Sequence, residues 1–389
     1  MIDLKILNRL NAPTAAERLA ELRAILPETR FPPMVPQYIN NHIHTTYSFS
    51  PYSPTAALYA ARMEGLCTAG IIDHDSISGA REFLEAAAIV GMPVTIGMEC
   101  RVSMADTPLR GRRTNNPDQA GVSYMTIQSV PHDKIDTLNM HFRPLRAERN
   151  RRNRRMVEKI NALLPDVRLD FDRDVLPLSM HQEGGGVTER HLMYALAKRL
   201  TEQSGRGTDM AARLEKMGLR LSEKQRAQML DQEYPFYEYD LLGILKSAFV
   251  PEIYVDADRE CLDLRDLVEM CEDIDALLCY AYLGDVGESV TGDKKAQKFE
   301  DEYLDELFQC LEEFGVRAVT YMPTRNTPAQ LERLRGLCEK HGMFQVSGED
   351  INSPRQSFVI RAMEDPQFAN LIDATWRLIE HEKTGKPIV

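Results

Sequence analysis

Four short apolar stretches of the chain end in groups able to hold a metal ion. YINNHIH ends in His42-x-His44, TAGII runs into Asp73-His74-Asp75, MPVTIGME ends in Glu99, and MFQVSGED ends in Glu349-Asp350. Imidazole and carboxylate donors together suit zinc, manganese or iron. Residues two apart on a strand point to the same face, so His42 and His44 can reach one ion together. H-x-H alone is weak evidence, because two strand histidines with hydrogen-bonded rings look the same. Four such clusters at the ends of four strands are much harder to obtain by accident. His42, His44, His74, Glu99 and Asp350 are therefore the expected ligands of one or two divalent ions. Asp73 and Asp75 either add a ligand or hydrogen-bond to loop amides and to His74.

Residues so far apart in sequence meet only if the fold gathers strand ends. A strand, helix, strand, helix, strand rhythm runs from residue 37 to Glu99. Ser53 and Pro54 make a good helix start, with Pro at the first helical position. TAALYAARMEGL and ISGAREFLEAAAIV are the helices between the strands. Such a rhythm with short links is the signature of a parallel α/β sheet or barrel, and in a barrel the C-terminal strand ends share one mouth. Residues 103–122, polar and rich in Arg, Asn, Pro and Gly, read as a long loop. Residues 146–250 read as a mainly helical insert, broken near Gly205-Arg206-Gly207. The α/β rhythm then returns, with ALLCYAYL, VRAVTYM and MFQVSGED as strands and a last helix over about 365–382. The expected organisation is a helical extension over 1–36, a first barrel part over 37–145, the insert over 146–250, and the rest of the barrel with a C-terminal helix over 251–389.

Hydrophobic residues make up 43% and charged residues 27% of the 389, enough to fill a large core. The net charge of -12 disfavours nonspecific contact with nucleic acid or anionic membrane. No apolar run reaches the roughly 18 residues of a membrane span, and the amphipathic N-terminus lacks the apolar core of a secretory signal. The seven cysteines are scattered, odd in number and never spaced C-x-x-C, which fits free thiols in a reducing cytoplasm. Six arginines between 146 and 155 read as a solvated helix face, with a phosphate clamp or nucleic-acid contact as the alternative. Gly184-Gly185-Gly186 is not followed by the Gly-Lys-Ser/Thr of a phosphate loop and reads as a flexible hinge.

HIHTTYSFS, GIIDHDSISGA, TIGMEC and VSGEDIN resemble the PHP (polymerase and histidinol phosphatase) domain, and more narrowly the bacterial PHP phosphoesterases that carry a helical insert. The resemblance covers about residues 37–360, including ERHLMYALAKRL and GVRAVTYMPTRNTPAQLERL. It implies a distorted seven-stranded β/α (TIM-like) barrel with a mainly helical insert, a cluster of two or three metal ions, and hydrolysis of phosphate esters by metal-bound hydroxide. It gives His42 and His44 as ligands of one ion, Glu99 as a bridge between ions, His74 as a ligand of a neighbouring ion, and Asp350 as a ligand from the last motif. His191 falls where the insert-carrying members have a histidine facing the substrate phosphate, and Arg143 and Arg190 are further phosphate contacts. The alternative for His191 is a helix histidine packed at the insert interface.

The departures from the pattern limit the ion count. The family's Asp after H-x-H is replaced by Phe49. The final Asp-x-His reads Asp350-Ile351-Asn352, and Ala-His-Pro reads Ala281-Tyr282-Leu283. No histidine lies in GVSYMTIQSV, and His132 and His141 just beyond could substitute only through a different loop path. With at least three ligands missing, one or two ions (zinc, manganese or iron) are expected, with Tyr282 and Asn352 beside them. The expected protein is a cytoplasmic metal-dependent phosphoesterase acting on a phosphate monoester or a nucleotide-like small substrate, without membrane contact. The alternative is a degenerate barrel that binds metal or a phosphate ligand without turnover.

Overall fold

The structure, a computed structural model, describes residues 3–287 and 297–388. Its strands are β1 (Val35–Ile43), β2 (Leu66–His74), β3 (Val94–Ser103), β4 (Val122–Gln128), β5 (Leu262–Asp263), β6 (Leu277–Ala281), β7 (Ala318–Tyr321) and β8 (Phe344–Ser347). The sheet runs β1-β2-β3-β4-β6-β7-β8, and the short β5 pairs with the end of β3. An isolated parallel bridge joins Ile43 to Ile351, just past β8, so the sheet curls almost to closure. The architecture is the expected one: a distorted, nearly closed seven-stranded α/β barrel with a helical region.

One strand breaks the parallel rhythm. β1 to β3 run parallel and β6 to β8 run parallel, but β4 is antiparallel to both of its neighbours. A parallel neighbour needs a crossover, usually a helix. Residues 104–121 form no helix, and the backbone bond from Met104 N–H to the Gly121 carbonyl (2.9 Å) folds the loop back on itself. The chain therefore re-enters the sheet in the opposite direction. The start of β4, not its end, stands at the rim where β1 to β3 finish.

The helices are α1 (Leu4–Leu10), α2 (Ala15–Ile25), α3 (Pro54–Met63), α4 (Ala80–Val90), α5 (Ile135–Leu163), α6 (Glu189–Ser204), α7 (Thr208–Lys216), α8 (Glu223–Leu230), α9 (Tyr237–Ile253), α10 (Leu264–Asp273), α11 (Leu304–Glu313), α12 (Pro328–Lys340) and α13 (Ala369–Thr384). Ser53 caps α3 by accepting from the Ala56 N–H, with Pro54 at the first position, as the sequence indicates. Two large apolar cores form, beside a small one where Leu378 of α13 meets β6, β7 and β8. One is built by the strands with α1 to α4 and α10 to α12. The other joins the C-terminal half of α5 to α6, α7, α8 and α9. Phe49, from the loop after β1, belongs to that second core, with ring centroids 5.0 Å from His191 and 5.4 Å from Tyr239.

Two expectations for the helical region are corrected. The arginine run is not simply a solvated face, because Arg149 and Arg152 are buried and ion-paired. The triple glycine is not a free hinge. A Cβ on Gly186 would lie 2.5 Å from the His74 carbonyl oxygen, so this backbone is pressed against the loop that carries His74.

Candidate metal centre

The centre is assembled where β1 meets the segment after β8. Asn40 accepts from the His42 and Glu349 N–H groups, both at 3.0 Å, and its amide donates to the Glu349 carbonyl. The His44 N–H donates to the Ile351 carbonyl (2.9 Å), and the Ile351 N–H donates to the His42 carbonyl (3.1 Å). These bonds set Asp350 beside His42 and His44. Asp350 thus sits on a loop beyond β8 rather than at the end of a strand. The approach needs Gly348, where a Cβ would come within 2.6 Å of the His42 Cβ. On the other side, strand register puts His74 directly opposite Glu99.

His74 Nδ1 lies 3.1 Å from Glu99 Oε2, His42 Nε2 3.5 Å and His44 Nε2 3.7 Å from the same oxygen, and His44 Nε2 3.1 Å from Asp350 Oδ1. Two donor groups result: His42, His44 and Asp350, and His44, His74 and Glu99, the atoms of each lying within 4.8 Å of one another. None of the three imidazole nitrogens facing the carboxylates makes a hydrogen bond, although all are buried. A buried polar atom without a partner is costly. Three that converge on two carboxylates are the arrangement a cation satisfies. One nitrogen serves one ion, so the two groups, which share His44 Nε2, are not two independent sites.

The surrounding residues set the tautomer of His44 and the charge of His74. Asp73 accepts from the Thr45 N–H (2.7 Å), the Thr45 hydroxyl (2.6 Å) and the Ser48 hydroxyl (2.6 Å). With its single proton committed to Asp73, Ser48 can only accept at its 3.2 Å contact with His44 Nδ1. In the neutral imidazole the proton is then on Nδ1, and the Nε2 lone pair faces the centre. Burial, joined by the nearby His44 charge, pushes His74 well below the ordinary imidazole range, keeping it a neutral donor. Burial also acts to lower His44, but Asp350, Glu99 and Asp73 outweigh it and raise it. For Asp350, burial acts upward, yet His44, His42 and Arg190 hold it well below the usual carboxylate range.

The remaining candidate residues separate clearly. Asn352 donates to Asp350 Oδ1 at 2.6 Å, so it orients that carboxylate. Asp75 carries its carboxylate away from the centre to Arg149, while its N–H donates to the Glu99 carbonyl at 2.8 Å. The Tyr282 hydroxyl donates to Asp301 at 2.6 Å. His191 Nδ1 accepts from the Thr188 N–H at 3.0 Å, capping α6, and burial pushes its pKa down to about 3. His191 packs on Phe49, does not line the cavity above the centre, and takes the form of the packed helix histidine. Arg143 is exposed on α5 and does not line that cavity either, whereas Arg190 does.

The cavity measures about 370 Å³ and is floored by His42, His74, Glu99 and Asp350. Sequence reasoning missed Tyr124, Lys246 and Arg325 on its wall. Tyr124 occupies the rim position of antiparallel β4, its ring 6.0 Å from that of His74. Lys246 had a readable signal, being the single cation inside the apolar stretch LLGILKSAFV.

Comparison with known proteins agrees with this architecture. No protein-family model matches the chain. Over 96 residues it is 32% identical to error-prone DNA polymerases of Mycobacterium bovis and Mycobacterium tuberculosis, a match covering 24% of this chain and 8% of the polymerase. Among solved structures, a protein provisionally named a metal-dependent phosphoesterase from Bifidobacterium adolescentis superposes with a TM-score of 0.54 at 18% identity, over 88% of this chain and 98% of its own. An amidohydrolase from Chromobacterium violaceum, with sulfate bound and no metal, gives 0.54 at 17% identity, over 83% and 90%. The chain thus has the fold of that phosphoesterase, in agreement with the resemblance of its strand-end motifs to the PHP domain.

Proposed function

We propose that the protein is a metal-dependent phosphoesterase that hydrolyses a phosphate monoester or nucleotide-like small molecule in this cavity. The supporting observation is the convergence of three unpartnered imidazole nitrogens on Glu99 and Asp350. His42, His44, Glu99 and Asp350 would hold one ion, and a second would rest on His74 with Glu99 as the bridge. A divalent ion held there lowers the pKa of its water to about 7 and neutralises phosphate oxygens as charge develops. Asp73 and Asn352 fix the ligands from behind. Arg190 stands on the wall with its charge free to meet a phosphate oxygen.

The second reading is a barrel that holds metal or phosphate without turnover. It is favoured by the positions where the family carries more ligands: Phe49 is built into the core of the helical region, and the Tyr282 hydroxyl is engaged by Asp301. Elemental analysis of the purified protein, with a phosphatase panel in manganese, zinc and iron, separates the two. Turnover that needs the metal is expected. Bound metal without hydrolysis of any nucleotide or sugar phosphate would select the second reading.

A further inference from the structure

Arg190, at the start of α6, and Lys246, on α9, face the same cavity, and the two helices pack together. Among the described residues neither side chain has a hydrogen bond or an ion pair, and each is mostly enclosed by protein. Their surroundings differ in this respect: Arg149, Arg152, Arg199 and Arg206 in the same region all meet a carboxylate. Asp118 lines the same wall but reaches neither cation within ion-pair distance. The Arg190 charge is the largest cause lowering the Lys246 pKa, ahead of burial, so the two cations feel each other. Asp350, Asp118 and Glu189 act on the two cations only from beyond ion-pair distance, so two like charges held close without a paired carboxylate remain unfavourable. They are well placed for a ligand that brings the missing charge: guanidinium offers a planar fork to an oxyanion, and ammonium adds a mobile point charge.

We infer that Arg190 and Lys246 form an oxyanion subsite on the helical wall, separate from the imidazole and carboxylate floor, that holds a phosphate group. The inference rests on the phosphoesterase reading for the identity of the anion and deepens it by adding Lys246, although binding at the subsite itself requires neither a metal ion nor turnover. It also assigns the contact role expected of His191 and Arg143 to a lysine the sequence patterns did not single out.

The test is calorimetric titration of the metal-stripped full chain with inorganic phosphate at low salt. The wild-type protein is expected to bind phosphate, less tightly as salt is added. Lys246→Met and Arg190→Gln should each weaken binding by about tenfold or more, the scale of a charge-assisted hydrogen bond. A melting experiment separates a ligand site from a structural cation. Without phosphate, Lys246→Met should melt at or above the wild-type temperature, because it relieves a repulsion. With phosphate, the wild-type protein should gain more than the variant. The subsite is refuted if the metal-stripped wild-type chain binds no phosphate, if both variants bind it unchanged, or if Lys246→Met alone lowers the melting temperature in phosphate-free buffer. The phosphoesterase reading fails by a different result: a metal-loaded wild-type protein that binds phosphate and hydrolyses no ester.

Discussion

Two clusters of ionisable groups, mostly buried though Asp350 is half-exposed, lie on either side of the loop that follows β2. On the cavity side are His42, His44, His74, Glu99 and Asp350. On the helical side, Arg101, Arg149 and Arg152 meet Asp75, Glu189 and Glu260, three cations with three carboxylates. Arg152 reaches both Glu189 and Glu260, Arg149 reaches Asp75 and Glu189, and Arg101 reaches Glu260 and Glu189. Only the Nε atoms of Arg101 and Arg149 are left without a partner. In the first cluster, imidazole nitrogens without a hydrogen bond face carboxylate oxygens across 3.1–3.7 Å. Composition does not distinguish the clusters. What does is whether the donors and acceptors complement one another: the arginine cluster closes on itself, while the imidazole cluster leaves three buried nitrogens unpartnered, and a cation is what we propose for them.

The contrast is broken or kept by two substitutions. His44→Ala removes the nitrogen shared by both donor groups, so bound metal and phosphatase activity should fall to background, measured by elemental analysis and turnover. The metal-free variant should remain about as stable as the metal-free parent, since an unsatisfied buried atom is lost with the ring. Unchanged turnover would rule out the centre. Glu260→Gln should do the reverse. It leaves Arg101 and Arg152 short of charge in a buried setting, which costs about 3–5 kcal/mol. Denaturant titration should show that loss, while metal per folded chain stays at the wild-type level. If Glu260→Gln removed metal without destabilising, the network would have to be assigned to the site.

A smaller effect sharpens the boundary of the centre. Asp73 touches no ion-facing atom but fixes Thr45 and Ser48, and through Ser48 the tautomer of His44. Asp73→Asn puts a donor where acceptors are needed, and metal affinity should drop by about 10–100-fold, the usual range for a partner behind a ligand. Competition with a chromogenic chelator reads this directly. An unchanged affinity would mean that the loop, and not Asp73, holds the ring.

Much of the centre was legible because side chains alternate along a strand with period 2, so His42-x-His44 and the His74 position carry their geometry with them, whereas β3 does not end at Glu99 as expected but runs on to Ser103. Asp350 was legible as a residue but not as a place, since its position depends on Asn40, Gly348 and a bridge between the two ends of the barrel. The direction of β4 was not legible: a long polar loop states that the chain returns, not which way it enters the sheet. The fate of the arginine run was partly written in its spacing. Arg149, Arg152, Met156 and Ile160 are three or four apart and share the buried face of α5. The composition of the run suggests solvent, but the period places two of its members inside. The partners that satisfy them, Asp75 and Glu260, come from 74 and 108 residues away in sequence. No local pattern announces such a match, nor the lack of one at Arg190 and Lys246.

Not every unpaired buried atom marks a ligand. Glu382, on α13, is such a case. Its Oε1 accepts from the Ile96 N–H at 2.9 Å, and its Oε2 has no hydrogen bond, lying 3.6 Å from His132 Nε2. No ring of donors converges on it, and it lines no part of the cavity above the metal centre. Burial raises its pKa to about 7 against the His132 contact, so a proton, not a metal ion, completes it. A carboxyl whose folded value lies above its unfolded value binds the proton more tightly when folded. Its contribution is therefore fully present below the unfolded value and is lost as pH rises through about 7. Glu382→Gln replaces the proton with a permanent neutral amide and keeps an acceptor for Ile96. It should leave stability nearly unchanged at acidic pH and raise it by on the order of 3 kcal/mol at pH 8. Metal content should not move. A variant that lost metal, or that gained stability at acidic pH instead, would show that one unpaired atom can mark a site here and that convergence is not the deciding feature.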